Sequence, residues 1–243
     1  LWGRVCVTGL FSGGRDTRGH LERLLAPLTG HAGAVRFETL EDRPWERAWL
    51  EDFVPTPFGR RLWVCPRGQR AEAEDAVVVE LDPGLAFGTG HHATTALCLR
   101  WLDEATLAGA QVLDYGCGSG ILAIAALRLG AASAIAVDHD PQALEATRAN
   151  ALDNGVDNKL MVCAPEDLPE TQADVVLANI LAGPLVELAP LLCRRVDVGG
   201  RLVLSGLLIG QQREITAAYG HRFDFDPPRI KEDWVLLSAR RKS

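Results

Sequence analysis

Asp114, Gly116, Gly118, Gly120, Asp138 and Asn179 are the residues of this 243-residue chain whose types and spacing could do chemistry together. The run Val112-Leu113-Asp114-Tyr115-Gly116-Cys117-Gly118-Ser119-Gly120 reads as an apolar strand that turns through alternate glycines into a helix. Glycines at that turn let the backbone bend sharply and let a ligand lie against it without meeting a Cβ, while the helix beginning near Ser119 points unpaired N–H groups at the same spot. Asp138 closes the next apolar run, Ala134-Ile135-Ala136-Val137, about twenty residues further on, where a β-α-β unit delivers a carboxylate to a pair of ribose hydroxyls. These features define a nucleoside site. The third glycine comes too early for a dinucleotide fingerprint and is followed by Ile121. Asp114 ahead of the turn also suits a cationic ligand better than a pyrophosphate.

Asn179 ends a second apolar run, Val175-Val176-Leu177-Ala178. A side-chain amide beside its own backbone carbonyl offers acceptors that can hold an amine while its lone pair faces an electrophilic methyl, with no acid or metal required. The plainer reading is a turn former at a strand end. The stretch Phe87-Gly88-Thr89-Gly90-His91-His92-Ala93-Thr94-Thr95 feeds a helix and, taken alone, is equally an ordinary cap. Read together with the glycine turn that follows the helix, it becomes a candidate ligand loop. No metal site is expected: His91 and His92 are adjacent and cannot readily face one ion, and the chain has no C-x-x-C pair. No G-x-S-x-G motif is present, since Val203 precedes Leu204-Ser205-Gly206, and Cys117 is read as a small side chain tolerated by the turn.

The elements that must position these residues alternate. Strands are predicted at 4–11, 34–40, 60–66, 76–82, 159–163, 174–179, 199–205, 221–225 and 233–240, besides the two around Asp114 and Asp138, with helices at 17–28, after Thr95, after Ser119, from Pro141 to about Asn150, from Pro184 to about Arg195 and at 210–218. Short apolar strands alternating with helices make an open, mostly parallel sheet covered on both faces, and the last two strands, with no helix between them, form an antiparallel hairpin. Trp45, Trp49 and Phe53 recur at every fourth residue, a stripe read as packing. Pro55, Pro57 and Gly59 mark a boundary, giving a partial N-terminal domain at 1–40, a helical linker at 41–59 and the nucleoside-binding domain at 60–243.

The net charge is −7, and the longest basic block is Arg240-Arg241-Lys242, so no nucleic-acid backbone is expected as a partner. Six scattered cysteines read as small buried hydrophobes in a reducing compartment, and no apolar stretch is long enough for a spanning helix. A cytoplasmic monomer without a signal peptide is the expectation.

Three segments in order, Pro83 to Thr95, Asp114 to Ile124 and Ala178-Asn179-Ile180-Leu181-Ala182-Gly183-Pro184-Leu185, resemble the PrmA-type ribosomal protein methyltransferases of bacteria over roughly residues 40 to 240. The resemblance implies an α/β class I S-adenosylmethionine-dependent methyltransferase fold, an open seven-stranded sheet with a C-terminal antiparallel hairpin. The implied reaction moves methyl groups from S-adenosylmethionine to lysine side chains and the N-terminal amine of a large-subunit ribosomal protein. It implies Thr95, Gly116, Gly118, Asp138 and Asn179 as contacts to S-adenosylmethionine, Asn179 also facing the substrate nitrogen. Asp114, His92 and the loop residues Phe87, Gly88, Thr89 and Gly90 are further candidates. The family usually has Thr-His-Pro where this chain has His91-His92-Ala93, which bears on the loop's rigidity. It also carries a ferredoxin-like N-terminal recognition domain, of which only the second half is expected here, in residues 4 to 40; the chain opens on Leu1, so residues in front of it are expected to be missing or the domain reduced. The alternative is another class I methyltransferase, acting on a small molecule, a different protein or a nucleic acid.

Overall fold

A computed structural model of the chain describes residues 19–23, 54–81 and 92–243. Two compact units divide it, Leu1–Ala48 and Trp49–Ser243. In the first, residues 19–23 are helical and Leu21 is buried, inside the helix predicted over 17–28. The strands predicted at 4–11 and 34–40 and the stripe Trp45, Trp49 and Phe53 lie outside the described residues.

The second unit begins with three short strands, β1 (Thr56–Pro57), β2 (Leu62–Pro66) and β3 (Val77–Leu81). β1 pairs antiparallel with β2, whereas β2 and β3 run parallel, with Leu62 opposite Val77 and Pro66 opposite Leu81. The turn before β2 is held by Asp103, a buried carboxylate that accepts from the backbone N–H groups of Arg60, Arg61 and Leu62. Asp103 belongs to α1 (Ala93–Glu104), whose N-cap is His92: its Nδ1 lies 3.4 Å from the Thr94 N–H and 2.8 Å from Thr94 Oγ1.

The main sheet follows: β4 (Gln111–Tyr115), α2 (Ile121–Arg128), β5 (Ser133–Val137), α3 (Pro141–Asp153), β6 (Leu160–Cys163), β7 (Ala173–Asn179), α4 (Ala182–Glu187), α5 (Ala189–Arg195), β8 (Val196–Leu208), α6 (Gln212–Tyr219), β9 (Phe223–Phe225), β10 (Arg229–Lys231) and β11 (Trp234–Arg241). The strand order is β10-β11-β8-β7-β4-β5-β6, with β9 also paired to β11. β4, β5, β6, β7 and β8 are mutually parallel, and β11 is antiparallel to β8. The sheet thus has the predicted seven positions, but β10 and β9 share the outer edge of β11, opposite Leu236 and Ala239 respectively. Arg229–Lys231 was not expected as a strand: three residues between Pro228 and a tight turn carry no alternation long enough to read. The helix expected from Pro184 to Arg195 is broken between α4 and α5, with Pro190 opening the second piece, a position where its missing N–H costs nothing.

Two apolar layers cover the two faces. α1 and α2 bury Leu97, Leu99, Leu102, Leu122 and Ile124 on one, together with Leu62 and Val79 of the small sheet, and Leu185, Leu192, Ile215 and Tyr219 fill the other. Such burial is the main stabilising term of the domain. Its consequence for function is that the parallel strands cannot shift register, so their C-terminal ends emerge at one fixed edge.

Candidate active site

At that edge β4 passes into the glycine turn. Gly116 takes φ +80°, and a Cβ there would run into the Cγ2 of Ile180. Gly120 takes φ +77°, and its Cβ would meet Thr147 Cγ2 at 2.6 Å. Both positions therefore need glycine for conformation and for space. Gly116 and Cys117 donate backbone N–H bonds of 2.7 and 3.0 Å to the Val137 carbonyl, tying the turn to the end of β5.

α3 then holds the turn from behind. Thr147 Oγ1 donates to the Gly118 carbonyl at 2.9 Å, and Asn150 Nδ2 donates to the Ser119 carbonyl at 2.9 Å. Asn154, just past the helix, donates to the Asn150 carbonyl at 2.7 Å and exchanges two bonds with the backbone of Glu80 in β3. All three side chains are buried and recur at three- and four-residue spacing, so they share one helical face. The sequence reading missed them; the available signal was a polar stripe on the face of α3 that must turn inward.

Asp138 stands beside this turn. Its Oδ2 accepts from the Gly118 N–H at 2.9 Å and its Oδ1 from the Asp140 N–H at 3.1 Å, with His139 Nδ1 3.4 Å from Oδ1. Each oxygen of a carboxylate has a second lone pair, so the group is fixed in orientation and still able to accept from a hydroxyl pair. Asp114 is wholly buried one strand away. Its Oδ2 accepts from the Ala123 N–H at 3.2 Å, while its Oδ1 has no hydrogen-bond partner among the described residues. Burial pushes its pKa up to about 7, against the pull of the Ala123 bond and with the charge of Asp138 adding to the rise. A buried acceptor left unpaired costs free energy until a donor or cation meets it. Cys117 is buried with Sγ 3.5 Å from Thr147 Oγ1, and its thiol is pushed far up, chiefly by burial. It is inert, as expected of a small side chain in the turn.

The second cluster is assembled on β7 and β8. Asn179 ends β7, opposite Ser205 of β8. Its Nδ2 donates to Thr95 Oγ1 at 3.3 Å, and its Oδ1 is buried with no donor among the described residues. Ser205 Oγ donates to the Thr94 carbonyl at 3.3 Å, so neighbouring strands hold two successive residues of the first turn of α1. The chain after Asn179 lies against Gly206, which takes φ +82°; a Cβ there would strike the Ile180 backbone, whose amide nitrogen would be only 3.1 Å away. The pairing of β11 shifts register across the same place, between Val235 and Leu237, as a bulge does. Ile180 therefore rests its backbone on Gly206 and its side chain on Gly116, joining the amide cluster to the glycine turn.

The structure thus brings Asp114, Gly116, Gly118 and Asp138 together, and Thr95 with Asn179, at the same edge of one sheet. His92 caps α1 and meets the ring of Trp234 edge-on at 4.8 Å. Phe87, Gly88, Thr89 and Gly90 lie outside the described residues. Among the described residues no group of three or more His, Cys, Asp or Glu could hold a metal ion. Ile180, Ser205 and Gly206 were not read as site residues: a glycine in a strand signals a bulge, but not which segment it admits.

This strand order, with a glycine turn at the first parallel strand and a carboxylate at the end of the second, defines a class I S-adenosylmethionine-dependent methyltransferase. The residues fit that methyl donor: a tight glycine turn at the end of the first parallel strand, a fixed carboxylate with lone pairs to spare, and in Asp114 an unpaired buried acceptor suited to a cation. The chain belongs to the ribosomal protein L11 methyltransferase (PrmA) family, whose model matches residues 1–242. It is 50% identical to a ribosomal protein L11 methyltransferase of Shewanella sediminis and 52% identical to one of Pseudomonas aeruginosa (strain LESB58), in each case over 100% of this chain and 83% of the relative. The crystal structure of a ribosomal protein L11 methylase from Lactobacillus delbrueckii subsp. bulgaricus superimposes with a TM-score of 0.72 at 32% identity, covering 79% of this chain and 100% of that one.

Proposed function

We propose that this chain methylates amines of ribosomal protein L11, at lysine side chains and the N-terminus, with Asn179 holding the amine. The observation that carries the reading is the buried, donorless Oδ1 of Asn179, fixed in direction by the bond from Nδ2 to Thr95. Bound S-adenosylmethionine supplies a methyl carbon made electrophilic by its sulfonium. Asp138 and the glycine turn hold the nucleoside end, and Asp114 offers its free oxygen to positive charge. Asn179 Oδ1 accepts an N–H of the neutral amine, which leaves the nitrogen lone pair free for the methyl; the new N–C bond forms as the S–C bond breaks, and the proton on the product ammonium goes to solvent. Among the described residues the side chain bonded to Asn179 is that of Thr95, a hydroxyl that is no base at neutral pH, so the work is positioning.

An amine with an ordinary pKa near ~10.4 is mostly charged at neutral pH and must lose its proton before transfer. The single-turnover rate is therefore expected to rise with pH from 7 to 9. Mass spectrometry of the ribosomal protein after reaction, beside a sample whose amines were chemically blocked beforehand, checks the substrate; methyl groups on the blocked sample would overturn the assignment to amines. The finer readings are that it acts as a monomer, in the cytoplasm where its substrate is made, without contacting nucleic acid. The net charge of −7 favours the last, and no helix among the described residues is long and apolar enough to cross a membrane.

A further inference from the structure

The edge that carries Asn179 also exposes apolar side chains. Leu181, two residues past Asn179, is 68% exposed, and Leu208 and Ile209, where β8 ends, are 38% and 41% exposed. They leave the same edge of the sheet: the Ile180 backbone leading to Leu181 lies on Gly206, and Leu208 follows Gly206 by two residues. The turn between β10 and β11 abuts the same place. Trp234 pairs with Leu208, and the Ile209 N–H donates to the Asp233 carbonyl at 3.1 Å. Two residues form that turn, Glu232 and Asp233, and both are exposed. Glu232 takes φ 57°, the only positive φ outside glycine among the described residues. The first position of such a two-residue turn is one that glycine fills at least cost, and here it holds a carboxylate instead. Of the other charges on the hairpin, Lys231 is half-buried and Arg229 is paired with Glu104 at 2.9 Å.

We propose that Leu181, Leu208, Ile209 and the Glu232–Asp233 turn form a docking rim for the segment of the substrate protein that carries the target lysine. This rests on the amine-methylating reading of Asn179 and extends it to the substrate's flanking residues. The apolar rim covers the aliphatic stem and neighbouring side chains of that segment, and the turn's carboxylates attract its positive charge. The rim borders the strand end that carries Asn179, and its exposed charge is opposite to that of a lysine-bearing segment. A rim of this kind acts on capture of the protein and leaves the methyl donor's contacts untouched.

Steady-state kinetics of the full chain with ribosomal protein L11 test it, alongside calorimetric titration with S-adenosylmethionine as a check of folding. The double variant Leu181→Ser, Ile209→Ser is expected to raise KM for the protein about tenfold with kcat within about twofold. Glu232→Lys should raise KM about two- to fivefold, an effect that shrinks at high salt, and Glu232→Gly, which relaxes the backbone, should give a smaller rise. Donor affinity stays at the wild-type value in all three. Wild-type KM in variants that bind the donor normally overturns the rim, as does a loss confined to donor affinity. Failure of the unmutated chain to methylate the ribosomal protein instead removes the reading beneath it, and the rim with it.

Discussion

Around the glycine turn, side-chain atoms hold backbone atoms: Thr147 and Asn150 donate to the carbonyls of Gly118 and Ser119, and Asp138 accepts from the Gly118 N–H. Around Asn179 the positioning comes instead from backbone packed on backbone, with Ile180 against Gly206, and among the described residues one side-chain bond, to Thr95, fixes the amide. The nucleoside side is thus a socket whose shape is held by the chain's own bonds. On the proposed amine side a single acceptor takes its direction from how closely two strands approach.

The close approach of Ile180 to Gly206 is the contact most sensitive to substitution. Gly206→Ala must move the Ile180 backbone and also place a side chain at a positive φ, so a loss of about 3 kcal/mol or more is expected in chemical denaturation. Gly116→Ala would press on the Ile180 side chain and not on its backbone, and should cost less. Equal costs would mean that Ile180 is not pinned from the β8 side.

Removing the aimed acceptor comes next. Asn179→Ala keeps the strand end but leaves nothing to orient the amine, and turnover is expected to fall about 100-fold with donor affinity changed severalfold at most. Single-turnover rates and titration with the donor separate the two quantities. A variant defective only in donor binding would move Asn179 to the socket. On the socket side, Asp138→Ala removes hydroxyl acceptors and the partner of the Gly118 N–H, and donor affinity is expected to fall about tenfold in a folded protein.

What was legible in the sequence follows the same division. The socket's chemistry announces itself because a turn with alternate glycines and a carboxylate one strand later are local patterns with fixed spacing. Asn179 is legible as a polar residue closing an apolar run. Its neighbour Gly206 is not, because the need for glycine there arises from a segment some twenty-five residues earlier in the chain, and only the sheet brings them together. The clamp residues Thr147, Asn150 and Asn154 are hidden for a related reason: polar residues on a helix are usually solvated, and which face turns inward is set by packing. β10 and the break between α4 and α5 are too short to impose a period, whereas the long alternation of apolar strands and helices reads directly as an open parallel sheet.

The smallest expected effect concerns Asp114 Oδ1, left unpaired on the socket side among the described residues. Asp114 has its pKa raised from the usual carboxylate range to about 7, mainly by burial, so the ligand-free fold favours the protonated form. Stability from this group is full below the unfolded value near ~4 and is lost as pH rises towards 7, because over that span the folded state holds more proton than the unfolded one. A cationic ligand reverses the preference, since the ionised carboxylate then gains a partner for Oδ1. Affinity for S-adenosylmethionine is therefore expected to rise severalfold between pH 5.5 and 7.5, a span in which an α-amino group with a pKa near ~7.7 to 8.0 stays largely charged. In Asp114→Asn that dependence should flatten, affinity at pH 7.5 should fall, and the ligand-free protein should lose its decline in melting temperature between pH 5 and 7. Calorimetric titration and thermal melts across the range measure both. If affinity in the wild type does not change with pH while the melting temperature does, the free oxygen of Asp114 faces no cation, and its unpaired state is a cost of holding the Ala123 N–H at the start of α2.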